Sequence, residues 1–155
     1  MIKYIFSLTI IFSASLCAAQ IQGHVIRVLD GDTLEILQDK KPVRVRLANI
    51  DAPEKKQPFG RWSATQLKDL VAGKPVTVQY AQTDRYGRIL GRVYTADGTE
   101  ANRWQVRNGA AWVYPNYNND YTLPPLQRDA RALKRGLWAD KNPVPPWTWR
   151  KQNKK

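Results

Sequence analysis

The chain has almost none of the side chains that ligate soft metals or cross-link a fold. Its 155 residues include one cysteine, Cys17, and one histidine, His24. A framework of internal disulfides is therefore excluded, and zinc held by clustered cysteine and histidine is disfavoured. Long apolar runs are also missing. The longest, Ile5 to Leu16, is about twelve residues, short of the roughly 20 that a membrane-spanning helix requires. Internal repeats are absent, and so is any long basic amphipathic helix that would favour a membrane surface. Acidic residues are scarce: 13, against 25 lysines and arginines, for a net charge of +12.

That charge excess runs from Arg27 to Lys155 rather than sitting in one tail. Such a field attracts polyanions, of which nucleic acid is the commonest. The apolar fraction of 43% is ordinary for a folded domain, and the length suits one domain with a real core. The start reads as a secretory signal. Lys3 is followed by the short apolar run, and then by Cys17-Ala18-Ala19 as a small-residue cleavage site. A lipoprotein signal would place leucine three residues before the cysteine, where Ala14 stands. The expected division is a signal peptide at 1–19, a domain at 20–141 and a Pro/Trp/Lys-rich tail at 142–155. The expected product is an exported monomer, periplasmic or extracellular, with no stable membrane anchor and no cysteine.

Strand signals dominate the first half. Gly23–Val28 and Thr33–Leu37 flank an Asp30-Gly31 turn in a hairpin pattern. Val43, Val45 and Leu47 alternate with Arg44 and Arg46, which places the arginines opposite the core face. Val76–Tyr80 and Ile89–Tyr94 complete five strands. Helical spacing begins near Arg61 and stops at Gly73. A short helix spans about Asn102–Asn108, and another starts at Pro124-Pro125 and runs towards Gly136. This order predicts a mainly β, α+β fold: a small five-stranded barrel with appended helices, of the oligonucleotide-binding kind.

Three segments carry chemistry: Asp30-Gly31-Asp32-Thr33, Arg46 to Glu54, and Asp84-Arg85-Tyr86-Gly87-Arg88. Phosphodiesters resist hydrolysis because their charge repels nucleophiles and their leaving alkoxide is poor. A cation on the phosphate, a positioned water and neutralising donors lower that barrier. Oxygen ligands alone point to calcium or magnesium. Asp32 and Asp51 are the charged candidates. Pro53 biases Ala52 to extended geometry that offers its carbonyl, and Glu54 lies close by in sequence. Arg46 and Arg88 suit phosphate as planar, permanently charged clamps. Asp30 does not open an EF-hand, because Glu35 and Lys41 stand where glycine and glutamate are needed.

These motifs, in this order, resemble the staphylococcal (micrococcal) nuclease family. The likeness extends through Val106-Arg107-Asn108-Gly109-Ala110 and Gly136-Leu137-Trp138, and covers roughly Val25 to Asp140. The resemblance implies a five-stranded oligonucleotide-binding barrel with about three helices. It also implies one calcium ion and endonuclease and exonuclease action on DNA and RNA that leaves 3′-phosphate ends. It makes Asp32, Asp51 and the Ala52 carbonyl the metal ligands, Glu54 the general base, and Arg46 and Arg88 the phosphate clamps. Tyr86, with Arg85 beside it, falls on the substrate side, and Asp30 lies behind the ligands. Three departures stand out. Ala52 replaces a threonine, the Lys55–Gly60 segment is short, and Glu100 occupies a usually apolar position.

Each motif taken alone reads more simply, as a turn, a solvated strand face or a loop before a helix. A non-catalytic nucleic-acid-binding barrel is the competing reading, but such a barrel would have lost some of the acids or arginines present here. His24 reads as structural. Trp62, Trp104 and Trp138 read as packing residues. Tyr114 and Tyr117 are candidates for stacking on bases, while Trp147 and Trp149 read equally as contacts to nucleic acid or as cover for the barrel.

Overall fold

The computed structural model describes residues 18–154; most of the expected signal peptide lies outside them. Strands β1 (Ala19–Asp30), β2 (Thr33–Gln38), β3 (Lys41–Leu47), β5 (Pro75–Thr83) and β6 (Ile89–Thr95) close a barrel in the order β1-β2-β3-β6-β5. This is the expected oligonucleotide-binding barrel. Strand β1 is longer than its hydrophobic pattern indicated, because it serves two partners. Its first half pairs with β5 (Ala19 with Tyr80 through His24 with Pro75), and its second half with β2. Only β3 and β6 run parallel, with Val45 opposite Ile89 and Arg46 opposite Leu90. That pairing closes the barrel.

Alternation along each strand fills the interior. Leu34, Ile36, Val45, Leu47, Val78 and Val93 are fully buried. Arg44 is exposed and Arg46 half-buried on the opposite face of β3, as the alternation requires. Helix α1 (Gly60–Val71) sends Leu67 and Val71 into this core, and α2 (Ala101–Arg107) sends Val106. Helix α3 (Leu123–Ala132) ends before the expected Gly136, leaving Leu133 exposed. A separate 3-10 turn follows at Gly136–Ala139.

Three elements had no sequence signal. β4 (Ile50–Asp51) and β7 (Trp112–Val113) pair as a two-residue ribbon. Helix α4 (Pro146–Gln152) is a fourth α-helix, formed within the tail. Proline at its start presets the helical turn, but seven residues offer no apolar period to read. Among the described residues no helix is long and apolar enough to cross a membrane.

Two buried amides of α2 tie the loops that converge at one rim of the barrel. Gln105 Nε2 donates to Gly31 O at 2.7 Å and Ser63 O at 3.0 Å, joining the β1–β2 turn to α1. Asn102 Nδ2 donates to Ala48 O and Gly91 O, both at 3.0 Å, while its Oδ1 accepts from Val93 N at 3.1 Å. The β1–β2 turn is pressed so closely against α1 that only glycine fits at its centre. A Cβ on Gly31 would lie 1.8 Å from Ser63 Oγ and 2.8 Å from the Cβ of Ala52. Gly31→Ala is therefore expected to destabilise the fold by about 1–3 kcal/mol through overpacking, measured by urea unfolding. Adding Ser63→Ala should restore only part of the loss, since the 2.8 Å contacts persist.

Candidate active site

The rim just described carries the acids. Asp32 leaves the β1–β2 turn, and Asp51 and Ala52 follow from β4. Asp32 is 6% and Asp51 2% exposed, a costly placement for carboxylates unless each is paired. Arg46 supplies the pairing. Its Nη2 lies 3.3 Å from Asp32 Oδ2 and 3.3 Å from Asp51 Oδ1. Its Nη1 donates to the carbonyls of Leu47 at 2.6 Å and Ile50 at 2.8 Å. One guanidinium thus spans both acids and the β3–β4 turn. Asp32 is further held by Ala52 N, donating to Oδ2 at 2.7 Å, and Thr33 Oγ1, donating to Oδ1 at 2.9 Å.

Charge within the cluster is uneven. Burial alone would raise Asp32, but the Arg46 charge and the surrounding hydrogen bonds hold it below the usual carboxylate range. Burial lifts Asp51, with the Arg150 hydrogen bond pulling against it. Asp30 accepts a hydrogen bond from Asp32 N at 3.0 Å. Burial, then the neighbouring Asp32 charge, pushes Asp30 up to about 7.

Glu54 is set apart by exposure. Its side chain is 42% exposed, and a compact turn holds its backbone. Gln57 Oε1 accepts from Glu54 N at 3.1 Å, and Glu54 O accepts from Gln57 N at 2.8 Å. A Cβ on Gly60 would come within 1.9 Å of the Glu54 carbonyl, so the short Lys55–Gly60 segment depends on that glycine. Residues Lys55, Lys56, Arg61 and Lys68 line a surface cleft directly beyond Glu54.

Arg88 is not drawn into the acid cluster. It sits just before β6, in a turn organised by Asp84, whose Oδ1 accepts from the backbone of Tyr86 at 2.9 Å and Arg88 at 3.0 Å. Arg88 Nε donates to Asp84 Oδ2 at 2.7 Å. The Arg85 and Arg88 guanidiniums lie 4.9 and 5.5 Å from the centre of the exposed Tyr86 ring, within cation–π range. Gly87, at φ 76°, permits the tight reversal. This turn therefore forms a second cationic and aromatic feature, carried by the β5–β6 connection next to β3.

Sequence reasoning missed Arg150. From α4 its Nη2 donates to Asp51 Oδ2 at 2.8 Å, and its Nη1 to Asp51 Oδ1 at 3.2 Å and Glu54 Oε1 at 2.9 Å. No local signal could have found it, since the contact joins residues 99 positions apart. Trp147, another residue of the tail, stacks on Tyr114 (5.3 Å, 8°) and meets Trp112 edge-on at 5.6 Å. It therefore covers the β4–β7 ribbon. Tyr117 packs against Tyr114 at 4.6 Å and stays exposed.

The donor set is suited to a hard cation. Asp32 Oδ2 and Asp51 Oδ1 converge on a single nitrogen of Arg46, and the Arg150 guanidinium occupies the space before Asp51 and Glu54. Among the described residues no three His, Cys, Asp or Glu side chains gather into a ready-made cage. A divalent ion would complete its oxygen shell with the Ala52 carbonyl and water.

This closed oligonucleotide-binding barrel, with buried aspartates bridged by arginine at one rim, falls by its relatives among nucleases of the staphylococcal type. Residues 44–140 match the model of the staphylococcal nuclease homologue family, and the chain belongs to that family. It is 61% identical over 148 residues to a protein of Escherichia coli described as an uncharacterized endonuclease, covering 96% of this chain and 97% of that one. It is 40% identical to the micrococcal nuclease of Shigella flexneri, over 88% and 84% of the two chains. It is 36% identical to the staphylococcal-like nuclease CAN1 of Arabidopsis thaliana, over 83% of this chain and 39% of that protein.

Because Arg46 is the cation paired with Asp32, whereas Asp51 keeps Arg150, Arg46→Ala should cost about 3–5 kcal/mol, the penalty of leaving one buried charge without its partner. Urea unfolding in the presence of chelator measures it. Any loss of activity in this variant then includes a folding component, which stability data must separate.

Proposed function

We propose that the protein is an exported, calcium-dependent nuclease of low sequence specificity that cleaves DNA and RNA and leaves 3′-phosphate ends. The observation that carries this reading is the division of the carboxylates: Asp32 and Asp51 are buried and share Arg46, while Glu54 beside them is partly exposed and has only Oε1 engaged by Arg150. Export is inferred from Lys3, the short apolar run and the Cys17-Ala18-Ala19 site. The relatives named nucleases and the net charge of +12 support a polyanionic substrate.

In this mechanism Asp32, Asp51 and the Ala52 carbonyl would hold one calcium ion, which when bound would supply Lewis-acid polarisation of a phosphate oxygen. Glu54 takes a proton from the attacking water. The new phosphorus–oxygen bond forms as the bond to the 5′ oxygen breaks, and that oxygen leaves as a hydroxyl after taking up a proton. Arg46 and Arg88 neutralise charge on the phosphoryl oxygens and, being permanently protonated, do not serve as acids. Arg46 contributes chiefly through Nε, since its terminal nitrogens already face two carbonyls and two carboxylates. Arg88 must exchange Asp84 for phosphate, which the exposed turn allows. Tyr86 and Arg85 flank that phosphate, and the cleft of Lys55, Lys56, Arg61 and Lys68 accepts the strand beyond Glu54.

The decisive assay digests single-stranded DNA, duplex DNA and RNA with calcium, magnesium or chelator; degradation with calcium and none with chelator is expected. Salt-sensitive binding with no cleavage under any condition would instead indicate a binding module. Glu54→Gln should retain substrate binding and lose about 10²–10⁴ in turnover. Near-normal turnover there removes Glu54 from the base role. Arg88→Ala should slow cleavage sharply with unfolding unchanged, and an unaltered rate rules out the clamp.

A further inference from the structure

Helix α4 lies beyond residue 140, where the family match ends, yet it delivers a cation onto the site. Arg150 engages both oxygens of Asp51 and one of Glu54, at 2.8–3.2 Å. Its placement does not depend on those acids alone. Gln57 Nε2 donates to Val144 O at 2.6 Å, fastening the segment before α4 to the turn that carries Glu54. Trp147 is lodged against Tyr114 and Trp112. The arginine is therefore aimed from an anchored helix.

Its contacts conflict with the chemistry assigned to the same acids. An ion must approach a carboxylate oxygen to about 2.3–2.6 Å, and Asp51 has no oxygen that Arg150 leaves free. Two cations on one carboxylate repel. Glu54 cannot accept a proton from water through a lone pair already engaged by a guanidinium. Without Arg150 or an ion, however, Asp51 would be a buried charge that shares Arg46 with Asp32.

Resting on the assignment of Asp51 to the ion and Glu54 to the water, we propose that Arg150 is a positioning residue of the hydrolytic site. It is the resident counter-cation of Asp51 and Glu54, and it exchanges with the divalent ion. Before the ion binds, Arg150 holds both carboxylates in place. When the ion binds, Arg150 must leave them, so every binding event works against this ion pair. The chain thereby sets its own calcium threshold, higher than the acids alone would give.

Calorimetric titration of calcium into the metal-free protein tests this directly. Arg150→Gln should bind calcium roughly 5- to 150-fold more tightly, the span of ordinary coupling between sites. Arg150→Lys should fall between, because one ammonium cannot grip both acids. Trp147→Ala, which loosens α4 while keeping the arginine, should also tighten binding. In chelator Arg150→Gln should melt below the parent, and saturating calcium should close the gap, as linkage requires. Equal or weaker calcium binding by folded Arg150→Gln overturns the competition, as does a melting deficit unchanged by calcium. If the parent and all variants fail to bind calcium, the assignment of the acids falls, and the exchange falls with it.

Discussion

The fork of Arg46 is the interaction on which the site and much of its surroundings depend. Asp32 and Asp51 are nearly inaccessible to solvent, and ionised carboxylates in such places need partners. One guanidinium faces both acids while two nearby carbonyls fix its orientation. Arginine suits this because its planar donors hold a fixed geometry and its charge persists at any relevant pH. The parallel contact of β3 with β6 places Arg46 at the closure of the barrel, so the acid-bearing rim and the closure of the fold share one residue.

Around that fork, rigidity comes from side chains with no charge at all. Gln105 and Asn102 project from α2 into places where backbone carbonyls would otherwise be buried unpaired. Each of these amides ties together loops distant in sequence, and so converts loop residues into a fixed constellation. Gly31 and Gly60 extend the same logic, since a single added carbon at either would push α1 or the Glu54 turn away. By contrast, the Asp84–Arg88 turn is largely exposed and organised by its own residues.

Much of the barrel was legible in the chain. Alternation in Val43–Leu47 placed Arg46 outside the core, and the Asp30-Gly31 turn, the helix near Arg61 and its stop at Gly73 were all local signals. Those features report on neighbours within a few residues, where pattern and propensity act. The long first strand was less readable, because its two halves pair with β2 and β5, and partner choice leaves no trace in alternation. The β4–β7 ribbon and α4 are too short to show a period. Leu133 lies within the stretch expected to be helical as far as Gly136 yet is exposed, since α3 stops before it.

The sequence by itself determined the chemistry available: oxygen ligands instead of sulfur or imidazole, arginines suited to phosphate, and a basic surface. Residue types and their spacing suffice for that, because ionisation and donor geometry belong to the side chain. Tertiary structure alone decided who pairs with whom. Folding put Arg150 on Asp51 and Glu54 across 99 and 96 positions of chain, turned Arg88 towards Asp84, and made two amides the struts of the site. These outcomes depend on how distant segments close in space, and no local pattern encodes the closing of a barrel or the docking of a short helix upon it.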